Sequence, residues 1–143
     1  MENDFSIVYW DASAILSVLF KDSHSAISLE WSNRKGIHLL STLAWAEVCA
    51  VTSRMKREGI ISQPLETSAV DVLRQGPWRR MSGSPDWATT RTLSGKWPLR
   101  GADLWHLAAA KTLHKNLPEL MLLTFDSRLG GAAKGEGLNT RTE

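Results

Sequence analysis

Two apolar runs, each closed by an aspartate, constrain this chain more than any other feature: Ile7-Val8-Tyr9-Trp10 stops at Asp11, and Leu120-Met121-Leu122-Leu123-Thr124-Phe125 stops at Asp126. Neither run alternates polar with apolar residues, so neither suits a strand with one wet face. Unbroken runs of this kind belong to strands covered on both sides, the condition of a parallel sheet between helical layers. Between and around them the chain supplies helical segments. Ala14 to Phe20, Ser25 to Arg34, Ser41-Thr42 through Arg57, residues 64–76, and Ala102 to Leu113 all carry helical patterning, with Gly36, Gly59 and Gly76-Pro77 as stops. Ile37 to Leu40 reads as a second strand, Arg79-Arg80-Met81 as a short one, and Leu138 to Thr140 as a last one after a short helix. Ser82 to Trp97 gives no clear pattern. The expectation is an α/β chain, a three-layer α/β/α sandwich around a central parallel sheet of four to five strands, in a single domain over 1–143.

Composition excludes several classes. At 43% apolar and 22% charged the chain has ordinary globular usage, not that of a disordered chain. Its one cysteine, Cys49, lies in the apolar run Ala46 to Val51, which excludes a disulfide scaffold and reads as a small buried hydrophobe. No apolar stretch approaches the roughly 20 residues needed to cross a bilayer. With the acidic start Met1-Glu2-Asn3-Asp4, this points to a cytoplasmic protein with no membrane partner. Net charge is only +2, but residues 1–71 carry 6 Lys+Arg against 9 Asp+Glu, and residues 72–143 carry 11 against 6. The basic second half permits a polyanionic partner without requiring one.

In open parallel sheets chemistry sits at the carboxyl ends of the strands, where strand order reverses. Asp11 and Asp126 fall there, although an Asp just after a strand is commonly a helix cap. Glu47 has Leu43, Ala50 and Val51 at helical spacing, which places a carboxylate on an apolar stripe. That position is costly unless the charge is paired, with Arg54 as one candidate partner, or holds a cation. Asp103 repeats the pattern with Leu107 and Ala110, and in a first helical turn it also favours the helix dipole. If all four carboxylates converge, a hard divalent cation with oxygen ligands resolves their repulsion. The 4 histidines and the lone cysteine have no zinc spacing; His106 is either a neighbour of the acids or a packed histidine. No Gly-x-Ser-x-Gly elbow, Walker loop or dinucleotide fingerprint is present.

Val8-Tyr9-Trp10-Asp11-Ala12-Ser13-Ala14, the isolated Glu47, Arg100-Gly101-Ala102-Asp103-Leu104-Trp105-His106-Leu107-Ala108 and Leu123-Thr124-Phe125-Asp126-Ser127-Arg128-Leu129 together resemble the PIN-domain ribonucleases. The single-domain length is similar to that of the VapC-type toxins of toxin-antitoxin pairs. The resemblance implies that Asp11, Glu47, Asp103 and Asp126 are an acidic quartet binding one or two Mg²⁺ or Mn²⁺ ions for in-line phosphodiester hydrolysis. It also implies that Ser13 and Thr124 are hydroxyls orienting the carboxylates. Expected partners are an RNA substrate, a cognate antitoxin and a second copy in a homodimer. Arg79, Arg80, Arg91, Lys96 and Arg100 are candidate phosphate contacts. Trp45 and Trp105 read as packing residues, whereas Trp87 and Trp97 fit either packing or base stacking.

Two other functions compete. A phosphatase-like enzyme with Asp11 as nucleophile would want a second Asp two residues on, where Ser13 stands. A catalytically silent RNA-binding or protein-interaction module on the same fold has no evident reason to keep all the acids.

Overall fold

A computed structural model describes residues 5–141; the acidic start Met1 to Asp4 lies outside them. Strand β1 (Ser6–Trp10) leads through helices α1 (Ala12–Leu19) and α2 (Ser25–Ser32) to β2 (Gly36–Ser41). Helices α3 (Thr42–Arg57) and α4 (Gln63–Gln75) precede β3 (Trp78–Met81). Helices α5 (Trp87–Ser94) and α6 (Gly101–His114) then carry the chain to β4 (Leu120–Leu123), and α7 (Ser127–Gly135) to β5 (Asn139–Arg141). The 5-stranded sheet has the order β3-β2-β1-β4-β5. Each neighbouring pair is parallel, with Tyr9 opposite Leu39 on one side and Leu122 on the other.

Strand alternation divides the core. Ile7 and Tyr9 pack with Leu107, Ala110, Leu129 and Ala133 on the face covered by α5, α6 and α7. Val8 and Trp10 pack with Ala14, Ile15, Ala44, Val48 and Leu73 on the face covered by α1, α3 and α4. Because β1 is buried on both faces from Ile7 to Trp10, its side chains there form an unbroken apolar and aromatic run, and the polar tips among them must find partners. Trp10 Nε1 accordingly donates to His38 Nδ1 at 3.0 Å, and the other nitrogen of His38 meets the Arg34 carbonyl at 2.9 Å. Gly36 opens β2 so close to Ser6 that a side chain there would strike the Ser6 backbone, and its φ is +149°.

The expected α/β/α sandwich is the observed fold, with three differences. Ser82 to Trp97 contains a helix, α5, of which only Leu93 is buried, so it offers no apolar stripe to read. Strand β4 ends at Leu123 rather than Phe125, because Phe125 leaves the sheet to stack on His24 with ring centroids 4.3 Å apart. Cys49 is half-buried rather than buried, and burial pushes its thiol pKa up.

Candidate active site

The chain crosses from β3 on one side of β1 to β4 on the other, so strand order reverses between β1 and β4. At the carboxyl ends of those two strands stand Asp11 and Asp126. Each is also the N-cap of the helix that follows, so the capping alternative and the site expectation hold together at both positions. Asp126 Oδ1 accepts the backbone N–H groups of Arg128 at 2.9 Å and Leu129 at 3.0 Å, and Oδ2 takes no hydrogen bond among the described residues. Asp11 is held more tightly. Its Oδ1 accepts from Ala14 N at 2.9 Å and Ser13 Oγ at 2.7 Å, and its Oδ2 accepts from Thr124 Oγ1 at 2.5 Å.

Ser13 and Thr124 therefore both touch Asp11, and both also tie it to the β4 end. Ser13 Oγ accepts the Phe125 N–H at 3.0 Å, and Thr124 Oγ1 accepts the Asp126 N–H at 3.0 Å. Asp11 is only 4% exposed. Burial raises its pKa above the ordinary carboxylate range, opposed by hydrogen bonds from Thr124, Ala14 and Ser13 and by the charge of His106.

Asp103 sits in the first turn of α6, half-buried, and among the described residues its carboxylate accepts no hydrogen bond. Burial raises its pKa first, then the charge of Asp126, with Glu47 adding to the rise; His106 and Arg100 oppose it. That mutual influence places Asp103, Asp126 and Glu47 in one electrostatic neighbourhood. Glu47 comes from α3 on the opposite helical layer. The buried stripe of α3 is Ala44, Val48 and Thr52, not Leu43, Ala50 and Val51, so Glu47 flanks that stripe instead of lying on it. Arg54 does not pair with it. Its partner is His106 on α6, whose Nε2 lies 2.6 Å from Glu47 Oε1. His106 is 1% exposed, and its Nδ1 lies 2.7 Å from the Tyr9 hydroxyl, so it is both packed and a neighbour of the acids.

The donor set suits a hard cation. It is made of carboxylate oxygens; among the described residues Asp126 Oδ2, Glu47 Oε2 and both Asp103 oxygens take no hydrogen bond, and burial raises the pKa of two members, Asp11 and Asp103. Among the described residues no three His, Cys, Asp or Glu side chains form a ready-made metal cage. Mg²⁺ requires none, since it keeps several waters and takes one or two carboxylates together with substrate phosphates.

The basic candidates are spread over several elements. Arg79 and Arg80 are exposed on edge strand β3, with the Arg80 guanidinium 5.7 Å from the centre of the Trp45 ring. Arg100 precedes α6, beside Asp103. Lys96 is drawn to Glu136 at 3.7 Å. Arg91 lines a cavity of about 460 Å³ with Trp87 and Trp105. Trp45 and Trp105 pack against the two cores as expected. Trp97 packs too and donates through Nε1 to Glu136 at 2.8 Å, whereas Trp87 is 93% exposed. Sequence reasoning missed the Tyr9 and His24 contacts; no local pattern announces either.

A protein-family model described as "PIN domain" matches residues 8–135. No curated protein matches the chain. Among solved structures, PAE2754 from Pyrobaculum aerophilum superposes with a TM-score of 0.67 at 17% identity, over 96% of this chain and 84% of that one. VapBC2 from Rickettsia felis, bound to a DNA fragment from its promoter, gives 0.63 at 14% identity over 94% and 97%. The sarcin-ricin loop cleaving toxin VapC20 of Mycobacterium tuberculosis gives 0.60 at 10% identity over 87% and 94%. At these identities the likeness is one of fold. No helix among the described residues is long and apolar enough to cross a membrane.

Proposed function

The chain belongs to the PIN-domain family, and on that premise we propose that it is a Mg²⁺- or Mn²⁺-dependent endoribonuclease, the toxin of a toxin-antitoxin pair. The observation that carries this reading is that Asp11 and Asp126 follow the two strands between which strand order reverses, with Asp103 responding electrostatically to both Asp126 and Glu47.

Asp11 is the central group. Its rigid strand end and three donors fix it before any ligand arrives, so no ordering is needed at the moment of binding. Asp103 and Asp126 offer open oxygens from the adjoining helix starts, and Glu47 offers Oε2 from across the sheet. When bound, the ion supplies positive charge to the phosphodiester and lowers the pKa of water at the site. Glu47, held from one oxygen, orients that water or completes the ligand set. Ser13 and Thr124 keep Asp11 from turning away. Arg100, beside Asp103, and Arg79, Arg80, Arg91 and Lys96 contribute phosphate contacts along the RNA.

The solved VapBC2 assembly supports an antitoxin partner for this chain, and a homodimer and a cytoplasmic setting belong to the same reading. Ser13 disfavours the phosphatase alternative: its hydroxyl is committed to Asp11 and to the Phe125 N–H, where that chemistry wants an acid.

The test is calorimetric titration of the purified chain with Mn²⁺, with Asp11→Asn alongside, followed by RNA cleavage with and without chelator. Saturable binding lost in the variant, and cleavage lost with chelator, support the proposal. RNA binding indifferent to metal, with no Mn²⁺ binding, would establish the silent module instead.

A further inference from the structure

The hydrogen-bond role of His106 Nε2 follows from the partner it meets. Glu47 is a carboxylate, which can only accept, so His106 Nε2 carries the proton across the 2.6 Å contact. The other ring nitrogen, Nδ1, lies 2.7 Å from the Tyr9 hydroxyl, so the imidazole is gripped from both sides.

Glu47 needs such a partner more than the other acids do. Asp11 is pinned by three donors and Asp126 by two backbone amides, but Glu47 has a longer side chain, 31% exposed, on the flank of α3. Its hydrogen-bond partner is His106, which reaches it from the opposite helical layer. We propose that His106 is a positioning residue for Glu47, fixing Oε1 through its Nε2–H while Tyr9 holds the far side of the ring. Oε2 is thereby left as the working oxygen. The inference rests on reading Glu47 as part of the acidic site.

The closing experiment reads the imidazole itself. Long-range proton–nitrogen correlation spectra of histidine-labelled, metal-free protein, with the His106 signals assigned by their loss in His106→Gln, should show a proton on Nε2. Tyr9→Phe, which frees the far side of the ring, should speed exchange of that proton with solvent. In parallel, Mn²⁺ affinity by calorimetry and RNA cleavage should fall about 10- to 100-fold in His106→Ala. His106→Gln, which keeps an N–H donor near the Nε2 position, should restore part of the loss. In a Glu47→Gln background His106→Ala should change neither readout further.

A His106 ring with no proton on Nε2 in the metal-free protein overturns the inference whatever the cleavage assay gives. So does a His106→Ala loss that persists undiminished in the Glu47→Gln background. The Nε2 proton and the stated Mn²⁺ cycle, found in a protein that cleaves no RNA, uphold the positioning role and retire the nuclease reading alone. If His106→Ala fails to fold, the wild-type spectrum and the Tyr9→Phe variant decide it.

Discussion

Thr124 Oγ1 donates to Asp11 Oδ2 at 2.5 Å across 113 residues of sequence, and the same oxygen accepts the Asp126 N–H at 3.0 Å. One hydroxyl thus sets the spacing between the ends of β1 and β4. Thr124→Val keeps the shape and removes both bonds. It should cost about 1 to 3 kcal/mol in urea unfolding, because a buried carboxylate oxygen and a backbone N–H lose their partner. Thr124→Ser should recover most of that and keep Mn²⁺ binding. A valine variant as stable as the parent would show that water replaces the hydroxyl without loss.

Asp11→Asn should leave the fold intact and abolish Mn²⁺ binding. The Asp11 pKa is raised in the folded protein, so the ionised form is the disfavoured one, and its cost is present above the folded pKa and relieved as pH falls through it. At neutral pH the variant should therefore unfold at equal or higher temperature, by about 1 kcal/mol or more. That advantage should shrink toward pH values near the ordinary carboxylate pKa, about 4. Thermal unfolding of both proteins across this range checks the sign.

Metal should stabilise the wild type by mass action, about 2.7 kcal/mol at a hundredfold excess over Kd, and a chelator should reverse it. The same addition should leave Asp11→Asn unmoved in scanning calorimetry. An equal shift in both proteins would place the ion elsewhere.

The tryptophans of the α5 region should separate cleanly. Trp97 is packed on the core and donates to Glu136 at 2.8 Å, so Trp97→Ala should cost about 3 kcal/mol or more. Trp87 is 93% exposed, so Trp87→Ala should stay within about 0.5 kcal/mol of the parent. If its indole stacks an unpaired base beside Arg91, RNA binding should weaken by about 1 to 3 kcal/mol in a fluorescence titration.

Arg100→Gln should leave stability unchanged. It should reduce the salt dependence of RNA binding by about 0.7 in log–log slope if the guanidinium neutralises one phosphate of a single strand. A slope identical to that of the parent would remove Arg100 from the RNA path.

Asp11 and Asp126 were legible because a strand buried on both faces writes itself as an apolar run, and the first acid after it stands at the sheet edge. Glu47 was legible as an acid in apolar company but misplaced in phase: residues 43–51 hold so many small apolar side chains that several stripes fit, and only packing selects Ala44, Val48 and Thr52. Its true partner was hidden for a different reason. His106 is 59 residues away on the other helical layer, and the two meet because each stands in the second turn of its own helix. Helix α5 buries one leucine, so nothing periodic betrayed it. Asp103 was found by spacing, but its exposure to the charges of Asp126 and Glu47 depends on three elements brought together by the fold.

The central place of β1 sets an order on biosynthesis. It pairs first with β2, about thirty residues downstream, but its other edge stays open until β4 emerges. A nascent chain stopped before Leu120 carries Asp11, Glu47 and Asp103 yet lacks the threonine that holds the first and the aspartate that joins the third. The strand ends that carry Asp11 and Asp126 thus come together only once β4 has emerged, and until then nothing holds Asp11 as Thr124 does.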